Sequence, residues 1–599
     1  MKIFNKAEYD VLPLADFKPF LDFENYSFPT PESVTGKALV KFADEALETE
    51  IPQLYASVYR RFFIDGNRTE FQDGYYERRL MLKKLIYGEL TLKNGKYISK
   101  MIDLLWLIME ETTWIIPAHN HYPVKENKKN DTIGNEFCGD ALYLDLYAAE
   151  TASEVAVAYY FFKDEFAEIT PIINERIMYE LRRRIIRPYN EHRDFYWMSL
   201  DGRKNASNWT MWITSNVLAV TALVEDNMEL RKGVFDKALE CIDEFVDTYK
   251  PDGGCTEGPG YWKCAVGGLF NSLETLYDMT DGKVDVFDHP LLYNMFDYIR
   301  KVHLTGFYYS NFSDCQAQLY KTGMIIAVRM GIRTKNSDLY SFALENSPEY
   351  ITDIENNEIF CELKNLCFRI PEKKEQFIPN DFDVLENLQV AVQRSDDGFI
   401  TSMKGGHNSE IHNHNDVGNI IVMYGKDPLL IDIGAPTYTK FSFGETRYTV
   451  FPNNSDWHNL PEVNGFTQHK GEEFRADSFF AEKGRTVVDY TSAYEKDAGI
   501  IKAEREVLFS KNEVIVNERL DFVGESAVFR YYMRECPVKD GNTYIFENGV
   551  KMTVPEANEI IPIPLDDRLV INGWETKTLY CLNVKVSPEN SSFTLKLEK

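Results

Sequence analysis

The first 380 residues carry apolar side chains at the three- and four-residue spacing of amphipathic helices. Such helices are predicted over Ser99–Trp114, Leu142–Phe162, Glu168–Ile186, Ser215–Glu225, Val234–Thr248, Gly267–Met279 and Leu291–Leu304. Consecutive amphipathic helices with few strands between them favour paired helices arranged as a ring or as a solenoid. Because no repeat motif can be recognised, the sequence favours the ring.

Downstream of about Asn387, short runs of alternating apolar and polar residues replace the helical pattern, and turn signals such as Asn548-Gly549 separate them. Strands are predicted over Leu388–Gln393, Phe399–Met403, Asn419–Met423, Leu429–Ile433, Thr486–Asp489, Glu513–Leu520, Val528–Met533, Val550–Val554 and Thr578–Val586. This pattern is typical of an antiparallel β-sandwich. We therefore predict an α+β multidomain protein, with a helical (α/α) toroid over residues 1–380 and a β-sandwich over residues 381–599.

The amino-acid composition limits the classes of molecule that the protein is expected to bind. The net charge of −28 argues against nucleic acid and anionic membrane surfaces, because both favour a basic protein face. No run of about 18 apolar residues could span a membrane. An anionic polysaccharide remains compatible if a local basic groove overrides the global charge, and the 14% aromatic content fits a cleft that stacks sugar rings as well as an ordinary core.

The cysteines and the N-terminus bear on location. Nine cysteines are scattered without a CxxC pair, which fits reduced thiols, and the first residues lack the apolar core of a secretory signal. A cytoplasmic location is therefore expected, or a secreted or periplasmic one if a signal has been removed.

Half of the ten histidines fall within one short stretch. His412 and His414 are two residues apart, so in a strand both would face one pocket, with Asp432 and His458 arriving from neighbouring strands. Two imidazoles and a carboxylate are a common zinc ligand set, and a further histidine could transfer protons beside the metal. Ordinary hydrogen bonding within a β domain is the competing interpretation.

The helical half has candidate sites of its own. Asn208 and Trp209 open an apolar helix, where an amide and backbone N–H groups can bind an anion or simply cap the helix. Glu257 and Tyr261 belong to a glycine-rich loop of the kind that lets a ligand or another backbone approach closely. His119, close to His121, ends a helix rich in polar and aromatic groups and is a further candidate for substrate binding, although capping and packing explain it as well.

Five motifs in order resemble the heparinase II/III-like polysaccharide lyases. They are Glu-Glu-Thr-Thr-Trp-Ile-Ile-Pro-Ala-His, Asn-Trp-Thr-Met-Trp, Gly-Gly-Cys-Thr-Glu-Gly-Pro-Gly-Tyr-Trp, His-Asn-His-Asn-Asp and Ser-Asp-Trp-His-Asn-Leu-Pro-Glu-Val-Asn-Gly. The resemblance implies an (α/α) toroid followed by a β-sandwich. It also implies cleavage of uronic-acid polysaccharides by β-elimination, with heparin, heparan sulfate, chondroitin and hyaluronan expected before alginate or another polyuronate.

The resemblance also implies roles for single residues. Asn208 would bind the uronate carboxylate together with His412, and Tyr261 would act as acid or base. His414, Asp432 and His458 would hold a divalent metal, expected to be structural zinc. The second family tyrosine matches Tyr448 slightly better by spacing than Tyr438. Trp209 stands where some members carry histidine, which favours a single-asparagine arrangement.

Two rival functions remain open. A glycoside hydrolase on the same toroid would use Glu257 with Asp252 or Glu111, and a protein with a decayed site would bind polysaccharide without cleaving it. Arg447 is a candidate for binding substrate carboxylates or sulfates bidentately, as are other arginines of the helical half. These other arginines are Arg60, Arg61, Arg78, Arg79, Arg182, Arg183, Arg184 and Arg187.

Overall fold

The structure is a computed structural model, in which two compact units can be distinguished. The structure describes residues 2–4, 9–19, 27–120, 143–319, 324–354, 358–372, 377–395, 398–439, 441–555, 558–565, 570–571, 573–574 and 576–599. The first unit comprises Met1–Thr248, Cys264–His289 and Ser347–Lys373. The second comprises Tyr249–Lys263, Pro290–Asn346 and Lys374–Lys599.

Helices make up most of the first unit. The α-helices of the chain are α1 Val34–Glu48, α2 Ala56–Tyr59, α3 Arg61–Ile64, α4 Thr69–Leu92, α5 Ile98–Glu110, α6 Leu146–Ile169, α7 Ile172–Leu181, α8 Arg187–Glu191, α9 Asn208–Val224, α10 Met228–Val246, α11 Pro259–Trp262, α12 Gly268–Met279, α13 Pro290–Lys301, α14 Met324–Thr334, α15 Ser337–Asn346 and α16 Ile359–Cys367. Helices α6, α9 and α12 pack side by side, and most of their residues are buried. The helical part of the predicted fold is confirmed.

Strands dominate the second unit. They are β1 His303–Thr305, β2 Tyr308–Tyr309, β3 Phe382–Leu385, β4 Val390–Arg394, β5 Phe399–Lys404, β6 His407–Asn408, β7 Ile420–Tyr424, β8 Asp427–Leu430, β9 Ala435–Pro436, β10 Pro461–Val463, β11 Gly471–Arg475, β12 Ser478–Glu482, β13 Arg485–Asp489, β14 Ile500–Phe509, β15 Glu513–Phe522, β16 Ala527–Met533, β17 Val538–Asp540, β18 Thr543–Ile545, β19 Lys551–Thr553, β20 Asn558–Pro564, β21 Val570–Ile571, β22 Thr578–Val586 and β23 Phe593–Glu598.

The large sheets of this unit are antiparallel. In the part of the chain that the structure describes, the largest sheet has the order β12-β13-β14-β15-β23-β19-β18-β17, and two others have the orders β3-β4-β5-β7-β8 and β10-β16-β22-β20. One apolar core joins them, with Phe399 and Val422 from the second sheet, Val507 and Val516 from the first and Phe529 from the third. Residues alternate between buried and more exposed along β14 and β15, as expected for strands with one face on a core. The predicted β-sandwich is confirmed.

The change from helices to strands falls between Cys367 and Phe382. The two compact units are distinguished by how residues pack, and their segments alternate along the chain. The predicted domains, 1–380 and 381–599, are distinguished by secondary structure. Those domain limits stay a prediction. None of the helices in the described ranges has the length and apolarity required to cross a membrane.

The interior of the first unit contains two glutamic acids one turn apart on α6, Glu150 and Glu154. Lys83 on α4 lies 3.9 Å from Glu154 and 3.6 Å from Glu362, so acidic groups outnumber the ammonium group they surround. Burial raises the pKa of Glu150 to about 8 and that of Glu154 to about 7, although the charge of Lys83 opposes the rise. Both side chains are therefore expected to be largely protonated in the folded protein at mildly acid pH.

The free energy of unfolding should consequently fall as the pH rises from about 5 to about 8. In this window the unfolded chain has released both protons while the folded chain still holds them, so raising the pH favours unfolding. Denaturant unfolding at several pH values should show that Glu150→Gln flattens this decline, whereas Glu165→Gln, on the exposed face of the same helix, should leave it unchanged. Equal slopes for both variants and the wild type would contradict the prediction.

Candidate active site and metal-ligand set

The glycine-rich loop places Tyr261 by packing closely on a second segment of the same unit. Gly258 has φ 84°, and a Cβ atom at this position would lie 2.6 Å from the carbonyl oxygen of Phe312. Only glycine tolerates both the conformation and the close approach. The short helix α11 follows at once and presents Tyr261 beside the chain at Asp314. The predicted close backbone approach at this loop is confirmed.

His412 and His414 lie in a loop between β6 and β7, so their predicted placement in a strand is wrong. His412 has φ 58°, which is incompatible with a strand, and its carbonyl oxygen accepts a hydrogen bond of 3.0 Å from the backbone N–H of Asp314. This conformation directs the two imidazoles to different neighbours. His412 faces tyrosines, whereas His414 faces Asp432 and His458.

Two predicted residues, Tyr261 and Glu257, meet at His412. The Tyr261 ring stacks on the imidazole with centroids 4.1 Å apart and planes at 22°. The Glu257 carboxylate lies 3.6 Å from Nε2 of His412 and is buried. The arrangement brings together a phenol, an imidazole and a carboxyl group, all of which can transfer protons.

Tyr438, and not Tyr448, is the second tyrosine in contact with this group. Its hydroxyl lies 2.6 Å from the hydroxyl of Tyr261 and 3.3 Å from Nδ1 of His412. The Tyr448 hydroxyl instead donates to Oδ1 of Asn413 at 2.7 Å. Burial and the neighbouring Tyr261 and Asp314 raise the pKa of Tyr438 well above its ordinary value, so this phenol is neutral near neutral pH. A catalytic role for Tyr448 stays a prediction.

Asp314 is the residue of this group that the sequence does not single out. Its buried carboxylate accepts hydrogen bonds from Nδ1 of His412 at 2.9 Å, Nε2 of His414 at 3.0 Å, the Tyr438 hydroxyl at 2.8 Å and Nη2 of Arg447 at 2.9 Å. Burial by itself raises the pKa of this carboxyl, but the hydrogen bonds from both histidines and the charge of Arg447 outweigh burial and hold the pKa well below its usual range. Asp314 belongs to no motif, and only its neighbour Cys315 could have drawn attention to the segment.

Arg447 is buried and bonded within the protein. Besides Asp314, its guanidinium donates to the carbonyl oxygens of Asn413 at 2.9 Å and Ser442 at 3.0 Å. The arginine therefore fixes the His412 loop to the segment that carries Tyr438. Its predicted contact with substrate stays a prediction.

His414, Asp432 and His458 come together as the sequence predicts, with one potential ligand atom from each lying within 4.8 Å of the others. All three are fully buried. Within the described residues, Nδ1 of His414 and Nε2 of His458 are buried without a hydrogen-bond partner, while Nε2 of His414 is held by Asp314 and Nδ1 of His458 by Asp432. Unsatisfied imidazole nitrogens beside a carboxylate, each ring held at its other nitrogen, are what a zinc site requires. The residues thus fit the metal.

The remaining predicted residues lie in the first unit. Asn208 is buried at the start of α9, as predicted, after Ser207, whose backbone N–H donates to Oγ1 of Thr210 at 3.0 Å. Nδ1 of His119 donates to the Asp145 carboxylate at 2.8 Å, and burial lowers the pKa of His119 although Asp145 opposes the change. His121 lies outside the described residues. The predicted contact of Asn208 with a uronate carboxylate stays a prediction.

Trp209 and His119 belong to a partly exposed group of aromatic rings. Its members are Tyr76, His119, Tyr147, Tyr196, Trp209 and Trp212. His119 lies between Tyr147 at 5.3 Å and Trp209 at 4.6 Å, measured between ring centroids. Rings of this kind can stack on the apolar faces of sugars.

No protein-family model and no curated protein sequence matches the chain. Several solved structures, in contrast, match the chain. Heparinase III aligns over 97% of this chain and 87% of its own with 12% identity and a TM-score of 0.65. The heparan sulfate lyase HepC of Pedobacter heparinus aligns over 96% and 85% with 13% identity and a TM-score of 0.55.

A xanthan lyase of Paenibacillus aligns over 94% of this chain and 56% of its own, with 10% identity and a TM-score of 0.51. Identities this low bear on the fold alone. The chain therefore has the fold of heparinase III, a helical toroid followed by an antiparallel β-sandwich.

Proposed function

We propose that this protein is a polysaccharide lyase that cleaves uronic-acid glycans by β-elimination. The observation that carries the proposal is the pair of hydrogen-bonded hydroxyls of Tyr261 and Tyr438, 2.6 Å apart and placed against the His412 imidazole. The shared fold with enzymes described as heparinase III and heparan sulfate lyase supports the same reaction class. A glycosaminoglycan is accordingly the first substrate expected, and alginate or another polyuronate is the alternative.

The reaction breaks two bonds of the uronate. A base removes the proton at C5, the electrons of that C–H bond form the C4–C5 double bond, and the C4–O bond breaks as its oxygen takes up a proton. Negative charge grows on the adjacent carboxylate while C5 loses its proton, so a donor that neutralises it lowers the barrier. We assign this neutralisation to His412 and the proton transfer to Tyr261.

A tyrosine suits this chemistry when its environment is ordered. A phenol has an unperturbed pKa of about 10 and can act as acid or base once neighbouring groups stabilise the required form. The hydroxyl of Tyr438 accepts from Tyr261 because its own proton is donated to Asp314. Tyr438 could stabilise negative charge on the Tyr261 oxygen only if its hydroxyl turned from Asp314 and donated to Tyr261. We therefore assign Tyr438 an orienting role.

We also propose that His414, Asp432 and His458 bind a structural divalent metal, with zinc as the first expectation. Bound zinc would supply a rigid link among three segments of the loop region. Tyr261 and His412 do not belong to this ligand set. The proposed elimination uses the side chains of Tyr261 and His412.

The hydrolase alternative finds less support in the carboxylates. Asp252 accepts from backbone N–H groups of Asn387 at 2.7 Å and Leu388 at 3.0 Å, and Glu111 forms ion pairs with Arg78 and Arg79. Asp252 and Glu111 are therefore assigned structural roles. Asp314 accepts four hydrogen bonds and cannot serve as the protonated acid that glycoside hydrolysis needs.

A panel of uronic-acid polymers and their oligosaccharides tests the proposed function. Cleavage should generate the ultraviolet absorbance of an unsaturated uronate at the new non-reducing end. The matched control is the same polymer with its carboxyl groups reduced to alcohols, which should resist cleavage because C5 is then no longer acidic. Reducing ends that form without ultraviolet absorbance would reject the lyase and favour a hydrolase.

Phe443 is expected to form an apolar wall for the bound sugar. Its ring is 48% exposed, yet it lies 5.8 Å from His412 and 5.0 Å from Tyr438 between centroids. Phe443→Ala should raise KM by about 10-fold, since stacking of an aromatic ring is worth roughly 1 kcal/mol or more. Phe441→Ala, two residues away and 51% exposed, is the matched control and should change KM far less. Equal changes in both variants would reject a specific role for Phe443.

A further inference from the structure

The carboxylate of Asp314 serves two sets of residues with its two oxygens. Oδ1 accepts from Nε2 of His414 at 3.0 Å. Oδ2 accepts from Nδ1 of His412, the Tyr438 hydroxyl and Arg447, all within 2.9 Å. One oxygen therefore faces the metal-ligand set and the other faces the proton-transfer group.

We infer that Asp314 is the positioning residue of the proposed reaction, which holds His412 in one tautomer and sets the direction of the hydrogen bonds through Tyr438 to Tyr261. The inference rests on the proposed function of this site. It goes beyond that function because it assigns the orientation of three groups to a residue outside every recognised motif. Asp314 is buried and bonded to these side chains, so its proposed effect on the reaction passes through them.

The tautomer follows from the hydrogen bonds. A carboxylate only accepts, so the Nδ1 atom of His412 that faces Oδ2 carries the proton. When His412 is neutral, the lone pair of the ring is then on Nε2, on the side where Glu257 lies 3.6 Å away. Neutralising the substrate carboxylate therefore requires the imidazolium, which donates from Nε2 while its Nδ1 proton stays on Asp314. A carboxylate that fixes an imidazole through Nδ1 is a known device for orienting a catalytic histidine.

The direction of the tyrosine hydrogen bonds follows in the same way. Tyr438 donates its only proton to Oδ2 of Asp314 at 2.8 Å, so its oxygen accepts from the Tyr261 hydroxyl 2.6 Å away. Tyr261 thus acts toward Tyr438 as a donor. Without an acceptor at position 314, Tyr438 could donate to Tyr261 instead. The proton between the two phenols would then belong to Tyr438 and not to Tyr261.

The backbone supports the same role. The N–H of Asp314 donates to the carbonyl oxygen of His412 at 3.0 Å, and Ser313, just before it, has φ 67°. Arg447 adds a guanidinium on the same Oδ2 atom, at 2.9 Å. Main chain and side chain therefore hold the carboxylate in one orientation.

Two measurements test the inference, and the first is independent of any lyase activity. Heteronuclear magnetic resonance of the histidine rings in the full-length protein should place the His412 proton on Nδ1, with the signal assigned by its loss in His412→Gln. In Asp314→Asn this signal should shift or vanish. In Glu518→Gln, which changes an equally buried carboxylate paired with Arg505, it should remain. A wild-type His412 that is protonated on Nε2 and not on Nδ1 would overturn the inference, whether or not the Asp314 variant folds.

The second measurement is a double-mutant cycle on turnover. Asp314→Asn should lower kcat by about 10²-fold or more, by analogy with other carboxylates that orient a catalytic imidazole, and should leave KM within about 3-fold. Because Asp314 acts partly through Tyr438, adding Tyr438→Phe should lower kcat by less than it does in the wild type. Effects that multiply fully, or a kcat loss in Glu518→Gln as large as in Asp314→Asn, would identify a merely structural role. A wild type without lyase products but with the Nδ1 proton would reject the proposed function and leave the positioning intact.

Discussion

Tyr261→Phe is expected to lower turnover by about 10²-fold or more while leaving the fold intact. The ring would keep its stack on His412, 4.1 Å between centroids, and only the hydroxyl that faces Tyr438 would be lost. Because the hydroxyl is the proposed acid or base, kcat should fall more than KM rises. Steady-state kinetics on the best oligosaccharide and a thermal unfolding curve measure both parts of this expectation.

Tyr309→Phe provides the matched control. Tyr309 is buried in the same unit, and among the described residues its hydroxyl contacts the weak sulfur acceptor of Met324 at 3.8 Å, so turnover should stay close to that of the wild type. Tyr438→Phe should reduce kcat and Tyr448→Phe should have the smaller effect, since Tyr438 and not Tyr448 contacts Tyr261. Near-normal activity of Tyr261→Phe would reject its assignment and direct attention to Tyr438 and Tyr448.

The second large effect separates two histidines that are two residues apart. His412→Ala should abolish turnover and leave the metal content unchanged, because His412 lies with Tyr261 and outside the ligand set. His414→Ala should lose the metal and lower the unfolding temperature, because metal binding at a buried site contributes directly to the free energy of unfolding. Elemental analysis and thermal unfolding of both purified variants measure this difference.

His469→Ala is the control for this pair. The His469 side chain is 48% exposed beside Glu495, so its removal should alter neither the metal content nor turnover. Equal metal content in the His412 and His414 variants would contradict the proposed division of roles.

Much of the architecture could be predicted from the sequence because its periodicities are strong. The strand predicted over Thr578–Val586 agrees with β22, and the helix predicted over Gly267–Met279 differs from α12 by one residue. Helix α4 was missed for a physical reason. Its buried residues, which include Arg79, Lys83 and Glu89, surround the helix, so polar groups interrupt the apolar face that sequence reasoning looks for.

The candidate site was predictable where residues belong to motifs. Asp432 and His458 come together with His414 as predicted, although His412 and His414 adopt a loop in place of a strand. Asp314 could not be found, because it lies 98 residues from His412 along the chain in an irregular segment. Spacing along the sequence favours Tyr448, but in the structure it is the Tyr438 hydroxyl that contacts Asp314. Contacts of this kind depend on loop conformation, which periodicity does not encode.

The most direct test of the central claim is to cleave a defined uronic-acid oligosaccharide in water labelled with heavy oxygen and to weigh the products. β-Elimination adds no water, so the masses of the two fragments should sum to the mass of the substrate, and neither fragment should gain the label by cleavage. The anomeric oxygen at the new reducing end exchanges with the labelled solvent, but exchange only replaces one oxygen isotope by another and adds no water. It therefore shifts the summed mass far less than hydrolysis does, and purified products left in labelled water measure that shift. Fragments whose masses sum to the substrate plus one labelled water would contradict the account.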